Sequence, residues 1–371
     1  MKKVSKKRQK TTRGKQAKGE FAYYIGIDLG DKTSDVCMLD QEGEVQKEFR
    51  VSMKGESMAL HFGKLGRSRI ALEAGGQSRW VAELLKSYGH EVYVSNTRKV
   101  PYIHESDGKN DAGDAYKLAE LVHLKPRLLH PIEHRSAEQQ QDLTWIRARE
   151  VLVETRTRLI NTVRGLSKSF GERLGKCSAE AFTAKQAERL AEPVRSAVAP
   201  LLENIDRLNE QIRYYDAMIE HIARTRYPKY RLLDQVNGVG VHTALAFMLT
   251  IGDEARFDKS RAVGAYLGMR PKQQDSGENK PQLGITKAGD GYLRKLLVNC
   301  AHHILGAQGK DSDLKRFGLK LCQHGGKNAK KRAVVAVARK LSVLLHRLWV
   351  TGEVYEPLRN HKRTESSQAA A

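Results

Sequence analysis

The chain has 371 residues, more than the roughly 250–300 at which a single hydrophobic core stops growing, so several domains are expected. Its 65 Lys and Arg against 43 Asp and Glu leave a formal charge of +22, a field that attracts polyanions and makes nucleic acid the leading partner. No apolar run approaches a membrane span or a signal-peptide core, and Cys37, Cys177, Cys300 and Cys322 are too far apart for a CxxC metal site or a dense disulfide framework. A soluble, cytoplasmic protein with reduced thiols and no membrane partner is the expectation.

Residues 1–20 carry nine Lys or Arg and one acid, Glu20, with almost nothing large and apolar to bury; they read as a disordered basic arm. Residues 21–130 alternate in a different way. Strands are expected at Tyr23–Ile27, Ser34–Leu39 and Glu44–Val51, then a helix, a strand at Arg69–Leu72, a helix at Ser78–Tyr88, a strand at Glu91–Val94, and a helix from about Asp111. Three hairpin-spaced strands followed by alternating helix and strand describe a mixed sheet covered by helices, an α/β domain of RNase H-like type.

Residues 131–228 lack strand signals and read as a helical connector. Leu201, Ile205, Leu208, Ile212, Tyr215, Ile219 and Ile222 are spaced alternately by four and three, a heptad seam for which Ala199-Pro200 offers an N-terminal start. Such a seam serves either a dimeric coiled coil or an antiparallel helical hairpin within one chain. An earlier seam, Leu152, Leu159, Val163, Leu166 and Phe170, is compatible with it but interrupted by Arg156. Residues 229–357 are expected to be mostly helical, with an irregular stretch from Gly264 to Gly291, and residues 358–371 to be a disordered tail.

The segment GIDLGDKTSDVC, Gly26–Cys37, admits two chemistries. It looks like the first phosphate-binding hairpin of an actin-like ATPase, which needs a second Gly-rich loop later in the chain, where only long helices are read. A metal-dependent nuclease needs instead that further acids converge on Asp28. Glu73 ends the strand RIALE, and Asp111 and Asp114 stand in KNDAGDA. Residues three apart share a helix face, so Asp111 and Asp114 can serve one site while Asp28 and Glu73 approach from strand ends. Four facing acids repel unless cations lie among them. Mg²⁺, or Mn²⁺ in its place, takes carboxylate and phosphate oxygens at about 2.0–2.1 Å, and two ions about 3.5–4 Å apart can stabilise both oxygens of an in-line phosphoryl displacement. Asp111 alone would read as a helix cap.

LLDQVNGVGVHTALAFMLTIGD, Leu232–Asp253, places Gly238 and Gly240 between two helical patterns. A helix-hairpin-helix is the functional reading, its turn offering N–H groups to a phosphate, and an ordinary αα-hairpin the alternative. Lys272, Lys280, Lys287, Arg294 and Lys295 nearby tilt it toward nucleic acid, and Lys327–Leu341 adds an amphipathic basic helix.

The order Asp28, Glu73, Asp111, Asp114 resembles the DEDD tetrad of RuvC-like junction resolvases. More closely it resembles the insertion-sequence transposases of the IS110 family, in its IS1111 branch, with KNDAGDA similar to the signature K-x-D-x-x-D-A. The resemblance spans about residues 23–357. It implies a nucleophilic serine in a Ser-Gly loop before LGITKAGDGYLRKLL; here the residue is Ser276, with Asp275 where family members often have a first serine. It also implies a structured non-coding bridge RNA as guide, donor and target double-stranded DNA, and a tetramer whose active site is shared between subunits; the sequence is compatible with this, its heptad seam offering a dimer contact. The sequence is therefore read as an RNA-guided DNA recombinase working through a covalent phosphoserine. The alternatives are a metal-dependent junction nuclease without a covalent intermediate and a non-catalytic RNA-organising protein.

Overall fold

A computed structural model describes residues 20–96, 100, 102, 111–274, 283–323, 325–326 and 328–360. The chain divides into two compact units, Met1–His134 and Arg135–Ala371.

The first unit is built on a five-stranded sheet of order β3-β2-β1-β4-β5. β1 (Tyr24–Asp28), β2 (Thr33–Leu39) and β3 (Val45–Ser52) are antiparallel, whereas β4 (Arg69–Glu73) and β5 (Glu91–Ser95) run parallel to β1. β1 and β4 sit centrally and read as near-continuous apolar runs, while the edge strand β3 exposes Lys47, Glu48 and Arg50. β1, β4 and β5 each run one residue beyond the expected end, because Asp28 pairs with Asp35 and Glu73 with Ser95 in the ladders.

Alternation along the strands decides which helix covers which face. Ile25, Ile27, Ile70 and Leu72 point to the side where α1 (Gly55–Phe62) buries Met58 and Phe62 and α2 (Ser78–Ser87) buries Val81, Ala82 and Leu85. Gly26 and Ala71, register partners on β1 and β4, point to the other side. There α3 (Asp111–Leu124) packs Ala115, Leu118, Ala119 and Val122. A Cβ on Gly26 would stand 1.9 Å from the Ala115 carbonyl oxygen and 2.5 Å from the Ala119 nitrogen, so α3 lies directly on the backbone of β1. Its last turn is pinned at the start of β1, where the His123 ring meets Tyr24 edge-on at 4.5 Å and donates to the Gln41 carbonyl at 3.1 Å. The helix therefore runs antiparallel to β1, with its first turn toward Asp28.

In the second unit α4 (Ala137–Ser169) and α5 (Val194–Arg226) form an antiparallel hairpin. Ser136 opens α4 with a capping box completed by Gln139. Polar rungs recur at seven-residue steps of α4: Asp142 with Arg226, Arg149 with Asp216, and Arg156 with Asn209 at 2.8 Å. Ile205, Ile212, Ile219 and Ile222 of the expected seam are buried, while Leu201, Leu208 and Tyr215 are only half-buried. The intrachain hairpin accounts for the buried half of the seam. Arg156, which interrupts the earlier seam, is itself buried, its guanidinium shared between Asn209 and Glu180 at 3.0 Å. The helix starts six residues before Pro200, because Val194 and Val198 extend the apolar stripe under Phe182 and Leu190.

The rest of the unit packs around α7 (Val241–Ile251), buried from Thr243 to Ile251 and preceded by the short α6 (Tyr230–Asp234). α8 (Arg261–Tyr266), α9 (Gly291–Leu305), α10 (Asp313–Gln323) and α11 (Ala329–Thr351) complete it, and α11 buries Ala333, Val337, Leu341, Leu345 and Leu348. Among the described residues no helix is long and apolar enough to cross a membrane.

Gly26→Ala should lower unfolding free energy by about 1–3 kcal/mol, the usual effect of overpacking, because the added methyl meets backbone that has no rotamer to yield. Urea unfolding checks it, and a stability within 0.5 kcal/mol of wild type, roughly the scatter of neutral surface changes, would show that α3 does not rest on β1 as described.

Candidate active site

Asp28 and Glu73 lie two residues after Gly26 and Ala71 on their strands, and so on the face that α3 covers. α3 brings Asp111 and Asp114 in its first turn. The four acids border one space: burial, and then the charges of Glu73, Asp111, Asp114 and Asp35, push the Asp28 carboxyl up from 3.8 to about 6. The fifth acid, Asp35, was not singled out from the sequence, although the hairpin register places it opposite Asp28. Its charge is shared with Arg50, whose guanidinium reaches it at 3.2 Å.

Two further groups frame this space. The Gln77 carboxamide donates to the carbonyls of Gly30 at 3.0 Å and Asp31 at 2.9 Å, tying the turn after Asp28 to the start of α2 just beyond Glu73. Lys117, one turn along α3, donates to Asp114 at 3.0 Å. Neither was apparent as a site neighbour from the sequence, because each is recognised only once the two turns and the helix face are superposed in space.

Among the described residues no three His, Cys, Asp or Glu side chains close on a single point as a finished cage would. A hard divalent cation of the Mg²⁺ type does not need one, since it keeps several waters and takes one or two carboxylates plus substrate oxygens. Oxygen donors of one sign, one of them held above its ordinary pKa first by burial and then by the neighbouring acids, fit that group.

In the second unit the residues around the serine loop form a stem. Lys272 N–H donates to the Gly284 carbonyl at 2.9 Å, Thr286 N–H to Arg270 at 3.0 Å, and Pro271 bridges Ile285. Lys287 adopts a positive φ of 56°. Ser276 and Lys280 lie outside the described residues. Arg294 Nη1 donates to the carbonyls of Leu267 and Ala288, each at 3.0 Å, and so clasps the base of the stem. Lys295 pairs with Glu150 and Glu154 of α4. Arg147 of the same helix reaches Asp290, the N-cap of α9. These partners give Arg294 and Lys295 structural duties that the charge pattern did not reveal.

Gly238 turns the chain between α6 and α7 at a φ of 91°, and a Cβ there would strike His303 of α9 at 2.8 Å; Gly240 has open space around it. Short helix, glycine turn and longer helix follow the expected order.

A mixed sheet with acids at the ends of two neighbouring strands and in the first turn of its covering helix is consistent with a phosphoryl-transfer domain of the DEDD class. Two family profiles match the chain, a DEDD transposase domain of IS110 type over residues 25–170 and "Transposase IS116/IS110/IS902 family" over residues 230–315. A "Probable family 20 transposase" of Pseudomonas aeruginosa is 30% identical over 342 residues, 90% of this chain and 98% of its own length. The "Transposase for insertion sequence element IS1111A" of Coxiella burnetii is 27% identical over 339 residues, 89% of this chain and 90% of its own. The chain belongs to the IS110/IS116/IS902 family of insertion-sequence transposases, consistent with its IS1111 branch, and acts on DNA by phosphoryl transfer. The DEDD class points to use of a divalent metal.

Because the folded carboxyl of Asp28 titrates above its unfolded value, its favourable contribution is complete below about pH 3.8 and is lost as pH rises through about 6. Asp28→Asn should therefore stabilise the metal-free protein at pH 7.5 by ~1–2 kcal/mol, after discounting for solvent screening. The gain should vanish near pH 4, and Mg²⁺ should raise the melting temperature of wild type but not of the variant. Equal urea midpoints at both pH values would contradict the crowding of acids.

Proposed function

We propose that this transposase is an RNA-guided DNA recombinase that cuts and rejoins DNA through Ser276. The convergence of Asp28, Glu73, Asp111 and Asp114 on one space carries the reading, and the two-rung stem formed by the described residues on either side of Ser276 supports it. The four carboxylates hold Mg²⁺, with Mn²⁺ able to replace it. Bound there, the metal supplies Lewis-acid stabilisation of the charge that develops on the scissile phosphate.

The chain's own groups do the rest. The Ser276 hydroxyl attacks phosphorus, its proton passes to water, a serine–phosphate bond forms, and the bond from phosphorus to the leaving deoxyribose oxygen breaks. The phosphodiester energy is kept in the serine link, so attack by a second DNA hydroxyl releases Ser276 and seals a new strand. Attack by water would give only a nuclease. The net charge of +22 and the basic arm suit a structured guide RNA beside donor and target duplexes. Gly238, Gly240, Lys272 and Lys287 are proposed to face nucleic-acid backbone, with Arg294 and Lys295 holding the surrounding structure through their carbonyl and carboxylate partners, and the half-buried part of the α5 seam to join copies of the chain into a dimer or tetramer. The work is done in the cytoplasm, at the nucleoid.

Replacing Asp28 or Asp114 with Asn should lower strand cleavage at least ~100-fold, while Ser276→Ala should abolish the denaturant-resistant protein–DNA adduct. Full cleavage without an adduct in the Ser276 variant would favour a junction nuclease, and full activity of both acid variants a non-catalytic RNA-organising role. Sequencing RNA that copurifies from the native host tests the guide: one discrete species encoded beside the gene is expected, random fragments would overturn it.

A further inference from the structure

Lys117 lies three residues after Asp114 on α3 and donates to its Oδ1 at 3.0 Å. Only 15% of the lysine side chain and 19% of the aspartate are exposed, so the pair is held largely away from water. Long helical side chains lean toward the helix N-terminus, which carries the ammonium toward the acid-lined end of α3. The positive end of the helix dipole opposes a cation there, and the acids are what offset that opposition.

A divalent ion and an ammonium cannot share the same carboxylate oxygens without strong mutual repulsion. When a metal engages Asp114, Lys117 must give up that contact, and its confined position keeps it from dispersing into bulk water. The anion that arrives with the metal is the DNA phosphodiester. We propose that Lys117 is a built-in counter-ion for Asp114, displaced by the divalent cation and transferred to a DNA phosphate, so that metal loading and DNA binding reinforce one another. Lys117 is thus a positioning residue that couples two ligands, and by linkage the reinforcement is the same whichever binds first. The inference rests on the reading that the four acids hold the metal.

Mn²⁺ binding to the full-length protein, followed by electron paramagnetic resonance with and without a short duplex, tests it, with Ca²⁺ calorimetry as a second readout. Without DNA, Lys117→Met and Lys117→Gln should bind Mn²⁺ about 3–10-fold more tightly than wild type, as expected on removing a competing half-buried charge. Lys117→Arg should stay within about twofold of wild type, since it keeps the charge. Adding duplex should tighten Mn²⁺ binding in wild type and clearly less in the two neutral variants. Neutral variants that remain folded by circular dichroism and bind Mn²⁺ no more tightly than wild type would overturn the proposal, leaving an ordinary helix ion pair. Asp114→Asn separates the two levels: Mn²⁺ binding unaffected by that change would overturn the four-acid reading itself, whatever Lys117 does.

Discussion

The approach of α3 to β1 is the contact on which the catalytic unit depends. Gly26 has no side chain, Ala71 beside it has only a methyl, and Ala115 and Ala119 offer equally little bulk from the helix. Small residues on both partners let a helix rest on strand backbone instead of on a layer of large side chains. Two residues further along each strand stand Asp28 and Glu73, and within the turn preceding Ala115 on the helix stand Asp114 and Asp111. A larger residue at Gly26 would lift the helix and its two carboxylates away from the other pair. Stability and chemistry are therefore set by the same few ångströms.

That geometry creates a local charge of the wrong sign for the molecule as a whole. The chain carries +22 and draws polyanions from a distance, yet Asp28 has acids around it, and burial together with their charges drives its carboxyl up to about 6. The conflict makes the two ligands interdependent. On the proposed reading, cations would admit the phosphate that the acids alone would repel, and the phosphate would help retain the cations. Arg50 on Asp35 and Lys117 on Asp114 temper the repulsion from within the protein.

The second unit meets a different requirement, clasping the two segments that flank residues 275–282. Arg294 spans the carbonyls of Leu267 and Ala288, Gly268 and Ala288 approach so closely that a Cβ on the glycine would stand 1.9 Å from the Ala288 oxygen, and Arg147 reaches from α4 to the cap of α9. The heptad-spaced polar rungs between α4 and α5 make the hairpin register unambiguous, since sliding either helix would strand the buried Arg156 without Asn209. A stiff hairpin and a clasped stem hold the described residues on either side of Ser276 in a fixed geometry.

Much of this was legible before folding was considered. Strand and helix positions follow from local periodicity, and the expected strands of the first unit fall within one residue of those observed, because alternation and turn residues act over a few positions. The acids were legible as a set for the same reason: each sits at the end of an element that the pattern already marked. Gly26 carried a readable signal too, as a lone glycine inside an apolar strand. What the sequence could not decide was which groups answer one another across space. The α5 seam looked equally fit for a partner chain or for its own, Pro200 looked like a helix start, and Arg294 and Lys295 looked like free cations. Burial of neighbouring apolar residues accounts for the earlier helix start and for the intrachain half of the seam, and carbonyls and acids brought in from distant elements engaged the last two. Local pattern depends on residues close in the chain, whereas partnership depends on the tertiary fold, which alone fixes the distances over which charge and hydrogen bonding act.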